Sequence, residues 1–456
     1  MPRSRTLLLT LVALLALPVF GQEAPERPRN VIMMIPDGFG PASVTMARMA
    51  SGAPLALDSF ITGTVGTAAT DNYVTDSAAG ATAYASGIKT YNGAIGVDTL
   101  RRPAGTVLQG ARDRGMWTGL VTTTRLTHAT PAAYAAHVPS RAMEEEIAVH
   151  MMANRVDLLL GGGREFFLPR PTGARTDDRD LVEEAREAGY HIVVTADELA
   201  AATSLPLFGL FSENHLAYEV DRLHTDQPSL ADMTRQALAL LAEAPEGFFV
   251  MIEGGRIDHA GHGNDAAAHL FDILAYDEAV RVALDFARAD GQTLVVSAAD
   301  HETGGMSIGR DGIYGFEPSV LLGTTASGDW MSAEAHRRAQ DRGVEMDAEM
   351  LATLLAEVSP LQELDEDEMA RLETAATSQS RYEPGGTMAR MIGHRALIGW
   401  TTGGHTGVDV TLHAFGPGSE RLVGHLDNDE VGRIIAELLE VDLDAVTRSV
   451  RAELEP

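Results

Sequence analysis

The chain has 456 residues and 45% of them are hydrophobic, so it is long enough to bury a large core or two domains. Its formal net charge of −30 argues against a nucleic-acid partner, because nucleic-acid phosphates attract basic surfaces. An anionic ligand would therefore need local attraction, from metal ions or an arginine. The absence of cysteine excludes disulfides, thiolate metal sites and a cysteine nucleophile.

The first residues have the pattern of a secretory signal peptide. Arg3 and Arg5 precede a short apolar run at residues 7–17, and the small residue Gly21 comes before polar sequence. A membrane anchor is the alternative, but the run is too short to span a bilayer comfortably. We expect cleavage near Gly21, which removes residues 1–21 and leaves a soluble periplasmic or secreted protein without a membrane span.

The rest of the chain alternates between predicted strands and helices, with a polar loop at residues 123–131. The strands are expected at residues 30–35, 116–122, 156–160, 191–195, 247–252, 293–297 and 408–415, and the helices at residues 105–114, 142–152, 180–188, 229–243, 264–289 and 428–440. This alternation predicts an α/β fold with a central, mostly parallel sheet covered by helices on both faces.

Residues 306–400 break the alternation. They are rich in charged residues and methionine, and residues 333–357 and 362–377 have the pattern of amphipathic helices. We interpret the segment as an insertion over one edge of the sheet, which serves either as a cover over the site or as a dimer contact. The α/β domain would then consist of residues 22–305 and 401–456.

A run of small residues follows an acid and a hydroxyl at residues 75–83. The pattern predicts a helix that starts at Asp76 and Ser77. The Ser77 hydroxyl would then lie at the positive end of the helix, which favours an anion and a developing alkoxide. A capping serine without a catalytic role is the alternative, and this segment alone favours it.

Acidic and histidine side chains follow three predicted strands. Asp37, Glu253 and the pair Asp300–His301 each come directly after an apolar run. Asp37 alone could be a helix cap, but unpaired buried charge is costly, and ligands of open α/β sheets bind at the carboxyl edge of the strands. We expect these groups to lie along that edge. Glu253, Asp37 and the Thr130 hydroxyl offer the hard oxygen ligands that suit Mg²⁺.

A second potential metal site lies in a predicted helical turn. Asp258 and His262 are four residues apart, so one turn of helix places both on the same face. An oxygen and an imidazole nitrogen suit Zn²⁺, and the distant His405 could complete the site. By itself, His405 is better explained as an ordinary loop histidine.

These residues resemble the alkaline phosphatase family. The similar stretches, in family order, are residues 35–38, 75–79, 128–131 with Arg141, 253–259, 299–301 and 405–407. The resemblance covers roughly residues 30–305 and 401–440 and fades in the insertion.

The resemblance implies that Ser77 is the nucleophile that becomes phosphorylated, that Arg141 holds two phosphate oxygens and that Asp76 orients Arg141. It also implies ligands for two Zn²⁺ and one Mg²⁺: Asp258, His262 and His405 for the first zinc, Asp37, Asp300 and His301 for the second, and Asp37, Thr130 and Glu253 for magnesium. Arginine is suited to its role because its planar fork matches phosphate oxygens.

Two positions distinguish subgroups of the family. His128 stands where some bacterial members have Asp, and His259 stands where some have Lys. The pattern of two histidines resembles animal enzymes and some other bacterial enzymes. A histidine beside the third metal would bind it through water or not at all. We therefore expect weakly held magnesium, activity that rises on adding Mg²⁺, and an alkaline optimum. The resemblance further implies small phosphomonoester substrates and a homodimer.

Three rival functions differ in how well the residues fit them. A sulfatase of the same superfamily needs a Cys or Ser followed by x-Pro-x-Arg, whereas Ser77 is followed by Ala78 and Ala79. A phosphodiesterase could use the same metals, with the insertion shaping a larger pocket. A non-catalytic binding protein on a retired scaffold is disfavoured, because a retired site usually loses some of its residues and this one is complete.

Overall fold

The computed structural model describes residues 27–454, so the predicted signal peptide lies outside the described residues. The strands are β1 (Asn30–Ile35), β2 (Ile61–Gly66), β3 (Trp117–Arg125), β4 (Leu158–Gly162), β5 (His191–Val193), β6 (Leu207–Leu210), β7 (Phe248–Glu253), β8 (Thr293–Ala298), β9 (Glu302–Thr303), β10 (Ser307–Ile308), β11 (Ile398–Gly399), β12 (His405–Thr406), β13 (Val410–Phe415) and β14 (Gly424–Asp427).

Helices fill most of the remaining sequence. They are α1 (Pro41–Ser51), α2 (Ser77–Ser86), α3 (Val107–Asp113), α4 (Ala129–Ala135), α5 (Glu144–Ala153), α6 (Leu181–Glu187), α7 (Ala196–Ala201), α8 (Leu230–Leu241), α9 (Arg256–Gly263), α10 (Ala266–Asp290), α11 (Pro318–Leu322), α12 (Gly328–Arg342), α13 (Ala348–Val358), α14 (Glu366–Ala376), α15 (Glu383–Arg395), α16 (Asn428–Leu438) and α17 (Leu443–Leu454). Short 3₁₀ turns occur at Leu57–Ser59, Arg164–Phe167, Glu219–His224 and Ser419–Arg421.

Ten of these strands form one sheet in the order β14-β2-β13-β8-β1-β7-β3-β4-β6-β5. Only β13 runs antiparallel to its neighbours, and the other pairs are parallel. Every residue of β1, β7 and β8 is buried. Because successive side chains of a strand point to opposite faces, helices must cover both faces of the sheet. The predicted fold class is confirmed.

Two local predictions need correction. Residues 123–131 are not a loop, because β3 continues to Arg125 and α4 begins at Ala129. The threonine side chains at the end of β3 are buried, and two of them donate hydrogen bonds to Glu253. Because these residues are polar, the hydropathy pattern did not show that the strand continues. The helix expected at residues 333–357 is two helices: Gly343 ends α12 with a left-handed φ of 63°, and the Asp347 side chain caps α13.

Helices of the insertion pack on helices of the α/β domain. The insertion helices α11 and α15 contact α10, and α11 also contacts α1. Helix α10 in turn packs against the central strand β8. The apolar sides of these helices are therefore buried over one face of the sheet. The exact limits of the insertion, residues 306–400, stay a prediction.

None of the helices within residues 27–454 combines the length and the hydropathy that crossing a bilayer requires.

Candidate active site

The order of the central strands brings the predicted site residues together. Strands β8, β1, β7 and β3 are consecutive neighbours, and their carboxyl ends lead to the pair Asp300–His301, to Asp37, to Glu253 and to the start of α4. Glu253 pairs in register with Ile35 on one side. The chain therefore places these polar groups in a row at the carboxyl edge of the sheet, and Asp37, Glu253, Asp300 and His301 are all fully buried.

Asp258, His262 and His405 form the first cluster of potential metal ligands. Helix α9 sets Asp258 and His262 one turn apart, and Oδ2 of Asp258 lies 3.4 Å from Nε2 of His262. His405 reaches the cluster from β12, and the two histidine Nε2 atoms are 3.1 Å apart. Two nitrogens bound to one tetrahedral zinc would lie about 3.3 Å apart, so the spacing fits a shared ion.

The other ring nitrogens of these histidines are used by the backbone. Nδ1 of His262 donates to the Gly403 carbonyl at 2.7 Å, and Nδ1 of His405 donates to the Thr75 carbonyl at 2.9 Å. In a neutral imidazole these bonds leave the lone pair on Nε2, which is the arrangement that a metal-binding histidine needs. Thr303 also donates to Asp258 Oδ1, at 2.5 Å, and helps to orient that carboxylate.

Asp37, Asp300 and His301 form the second cluster. Nε2 of His301 lies 3.2 Å from Asp300 Oδ2 and 3.6 Å from Asp37 Oδ1. Both carboxylate oxygens are buried and have no hydrogen-bond partner among the described residues. The Ser77 hydroxyl is 3.2 Å from the same His301 nitrogen. The serine oxygen therefore lies beside the second cluster.

Asp37, Glu253 and His128 form the third cluster, so Asp37 belongs to two of them. The Thr130 hydroxyl donates to Asp37 Oδ2 at 3.3 Å. Glu253 Oε2 accepts hydrogen bonds from Thr122, at 2.5 Å, and from a second threonine of β3. Glu253 Oε1 and His128 Nδ1 are buried without a partner among residues 27–454.

The carboxylates of this region repel one another. Burial, reinforced by the charges of Asp300, Asp258 and Glu253, raises the pKa of Asp37 well above its usual value. Burial likewise raises the pKa of Glu253 to about 7. A divalent cation would offset this repulsion, and the unpartnered oxygens would serve as its ligands. The donors thus suit zinc where histidine and carboxylate meet, and magnesium where oxygens dominate.

Helix α2 presents Ser77 at its first turn. The Asp76 side chain caps the helix by accepting the Ala79 N–H at 3.0 Å. Ser77 is 1% exposed, and the whole of α2 is buried. A methyl group on Gly80 would lie 3.0 Å from the Asp300 carbonyl oxygen, so a side chain here would push the helix away. The small residues after Ser77 therefore allow the close approach of α2 to the loop after β8.

Arg141 is held between the serine helix and the third cluster. Its Nη1 donates to Asp76 Oδ2 at 3.1 Å, and its Nη2 donates to His128 Nε2 at 3.0 Å. Asp76 is thus both the helix cap and the partner of Arg141. The sequence pattern predicted the first role, and the family resemblance implied the second. The Arg141 side chain is 30% exposed, so the guanidinium remains accessible.

Several residues that support the site were not predicted. Thr122 and Thr303 orient carboxylates, and the run of three consecutive threonines at the end of β3 was a signal that could have indicated the first. His215 comes from an irregular segment, and its ring lies 4.3 Å from that of His259 and 5.5 Å from that of His128, between centroids. Nothing local in the sequence distinguishes His215, because only the fold brings these three rings together.

The fold and the three donor clusters define an α/β enzyme whose site can hold metal ions beside a buried serine. The model of the family described as alkaline phosphatase matches residues 28–441. The chain belongs to the alkaline phosphatase family, and it is a phosphomonoesterase.

Individual relatives agree with that assignment. The repressible alkaline phosphatase of Saccharomyces cerevisiae is 37% identical, over 94% of this chain and 84% of its own length. The crystal structure of the Thermus thermophilus alkaline phosphatase has a TM-score of 0.82 at 30% identity, covering 93% of this chain and 96% of that one. A histidine-to-aspartate variant of the TAB5 alkaline phosphatase, solved with magnesium bound, has a TM-score of 0.67 at 26% identity, covering 91% of this chain and 99% of that one.

Proposed function

We propose that this phosphomonoesterase acts through a phosphoserine intermediate on Ser77, with Arg141 as the phosphate clamp and with two zinc ions and one magnesium ion as cofactors. The observation that supports the proposal most is the position of the Ser77 hydroxyl. It lies at the first turn of α2, 3.2 Å from His301 Nε2 and next to a cluster with unpartnered carboxylate oxygens.

The metal ligands in this proposal follow from the donor atoms of each cluster. Asp258, His262 and His405 would hold one zinc, and Asp37, Asp300 and His301 the other. Asp37, Thr130 and Glu253 would hold magnesium, which prefers oxygen ligands. The magnesium bound in the TAB5 variant gives this third assignment a precedent in the family. When bound, the ions would activate the serine hydroxyl and stabilise the charge of the leaving oxygen.

His128 is better suited to hold the outer shell of the magnesium than to bind it directly. Arginine has only donors, so Nε2 of His128 must accept the bond from Arg141. Burial, and then the charge of Arg141, keep the pKa of His128 well below its usual range, so the ring is neutral. Its single proton is then on Nδ1, which has no hydrogen-bond partner among the described residues, on a ring that lies in the same cluster as Asp37 and Glu253. This supports our expectation of weakly held magnesium.

The chain's own residues would carry out the reaction in three steps. Arg141 holds two phosphoryl oxygens in its planar fork while Asp76 fixes its orientation. The Ser77 hydroxyl loses its proton, its oxygen attacks phosphorus, and the bond between phosphorus and the ester oxygen breaks, so that the ester oxygen takes up a proton and leaves as the alcohol. Water then attacks the phosphoserine and loses a proton, the bond between phosphorus and the Ser77 oxygen breaks, inorganic phosphate is released, and the Ser77 oxygen regains a proton. The positive end of α2 stabilises Ser77 as an alkoxide in both displacements, because the first N–H groups of a helix point outward.

The setting of the enzyme is also part of the proposal. The basic and apolar pattern of the first 21 residues supports export to the periplasm or the medium. The resemblance to the family supports a homodimer.

Replacement of the nucleophile tests the proposed function. Ser77→Ala should lower the turnover of an aryl phosphate monoester by several orders of magnitude, whereas Ser86→Ala, a buried serine at the other end of α2, should leave it near the wild-type value. Zinc and magnesium contents measured on both variants control for loss of metal. Full activity of Ser77→Ala would overturn the proposal.

Comparing the hydrolysis rates of an aryl phosphate monoester and the matching diester tests the phosphodiesterase alternative. Faster hydrolysis of the diester would show that diesters are the principal substrates. A protein that binds metal but turns over neither ester would be the non-catalytic scaffold.

A further inference from the structure

Arg256 is a buried arginine that the proposed mechanism leaves unused. It is the first residue of α9 and is 8% exposed. Its guanidinium lies over the ring of Tyr218, with the central carbon 3.7 Å from the ring centroid. The nearest carboxylate oxygen belongs to Asp329 of the insertion, 3.5 Å from Nη2, and Asp329 is half-exposed. Because burying a charge with such a distant partner is costly, other contacts must stabilise the Arg256 guanidinium.

The strongest polar contact of Arg256 is with His259. Nη1 of Arg256 lies 2.8 Å from Nδ1 of His259, one turn along the helix. Because a guanidinium can only donate, Nδ1 must be the acceptor in this bond. A neutral imidazole has a single proton, which is then on Nε2. Nε2 of His259 has no hydrogen-bond partner among the described residues, and the ring is only partly buried.

The ring of His259 lies close to the proposed phosphate clamp, Arg141. Its centroid is 5.4 Å from that of His128, and His128 accepts a hydrogen bond from Arg141. The His215 ring packs against its other side. An N–H on Nε2 is therefore free to donate to a phosphoryl oxygen or to a water on that oxygen, next to the clamp.

We propose that Arg256 is a positioning residue, which holds the imidazole of His259 with its Nε2 proton available to the phosphoryl group. The inference rests on the proposed role of Arg141 in binding phosphate. The bond to Nδ1 selects the tautomer, and the face of Tyr218 fixes the guanidinium plane that makes the bond. Through Asp329, the same arginine also connects the insertion to the helix that bears His259.

A double-mutant cycle tests the inference, with inorganic phosphate as the probe. Its affinity for the zinc- and magnesium-loaded enzyme is measured by calorimetry, which does not depend on turnover. Arg256→Met and His259→Ala should each weaken phosphate binding about tenfold, since a hydrogen bond to a charged group is worth about that factor. The double variant should bind phosphate no more weakly than His259→Ala alone, because Arg256 acts through the imidazole.

Conservative and control variants complete the experiment. Arg256→Gln keeps an N–H donor and should recover most of the affinity lost in Arg256→Met; it also replaces that variant if Arg256→Met does not fold. Arg222→Met removes a nearby arginine that pairs with Glu219 and should bind phosphate as the wild type does. The inference would be overturned if Arg256→Met weakened phosphate binding equally in the wild-type and His259→Ala backgrounds, or if it did not weaken binding at all. Neither result depends on Ser77, whose variant tests the proposed function separately.

Discussion

The replacement of Glu253 by glutamine should change how the stability of the metal-free protein depends on pH. In the folded state, burial raises the pKa of Glu253 from 4.5 to about 7, since the buried carboxylate lacks the water that stabilises its charge. An acid whose pKa is raised by folding favours the folded state while it is protonated. That contribution is complete below pH 4.5, the ordinary pKa, and is lost as the pH rises through 7. Glutamine occupies the same space and does not ionise.

The size of the effect follows from the shift. The pKa rises by about 2.5 pH units, and each unit corresponds to about 1.4 kcal/mol, so wild type should lose about 3 kcal/mol relative to Glu253→Gln between pH 4.5 and pH 7.5. The comparison must be between the two proteins, because buried histidines give the opposite slope. His269 and His413, for example, have pKa values that burial lowers to about 4, so their contribution to stability grows as the pH rises.

Denaturant unfolding of the chelator-treated proteins across this pH range measures the difference. The free energy of unfolding of wild type minus that of the variant should fall steadily from pH 4.5 to pH 7.5. Addition of Mg²⁺ and Zn²⁺ should reverse the order at high pH, because only the wild-type carboxylate can act as a charged ligand. If the difference in the free energy of unfolding stays constant with pH in the metal-free proteins, Glu253 is not a buried carboxyl group whose pKa is raised by folding.

Two further substitutions test the neighbourhood of Glu253 and of Ser77. His128→Asp adds a third carboxylate beside Asp37 and Glu253, so calorimetry should find Mg²⁺ bound about tenfold more tightly than by wild type; unchanged affinity would contradict the third cluster as the magnesium site. Gly80→Ala places a methyl group 3.0 Å from the Asp300 carbonyl oxygen and should displace α2. We expect kcat to fall about 10- to 100-fold while the urea midpoint changes little, and an unaltered kcat would show that the close approach is dispensable.

Much of the site could be predicted because its residues follow buried strands. Asp37, Glu253 and Asp300 each come after an apolar run, and a parallel sheet brings the carboxyl ends of neighbouring strands to one edge. The four-residue spacing of Asp258 and His262 likewise indicates that both side chains lie on one face of a helix. These are local patterns with direct geometric consequences.

The residues that were missed depend on tertiary packing. His215 has no periodic context and reaches the site only because its irregular segment crosses the end of β3, where its Nδ1 accepts the N–H of Arg125. The contact of Arg256 with Tyr218 joins two segments that nothing in the sequence relates. The surface that the insertion covers could not be predicted for the same reason, because an amphipathic helix does not specify which surface it packs on.

The most direct test of Ser77 as the nucleophile is to identify the residue that is phosphorylated during turnover. Metal-loaded enzyme is mixed with an aryl phosphate, quenched in acid and digested, and its peptides are analysed by mass spectrometry. We expect phosphate on Ser77, and none on any peptide of Ser77→Ala. Phosphate on a different residue, or rapid hydrolysis in which Ser77 is never phosphorylated, would contradict this expectation.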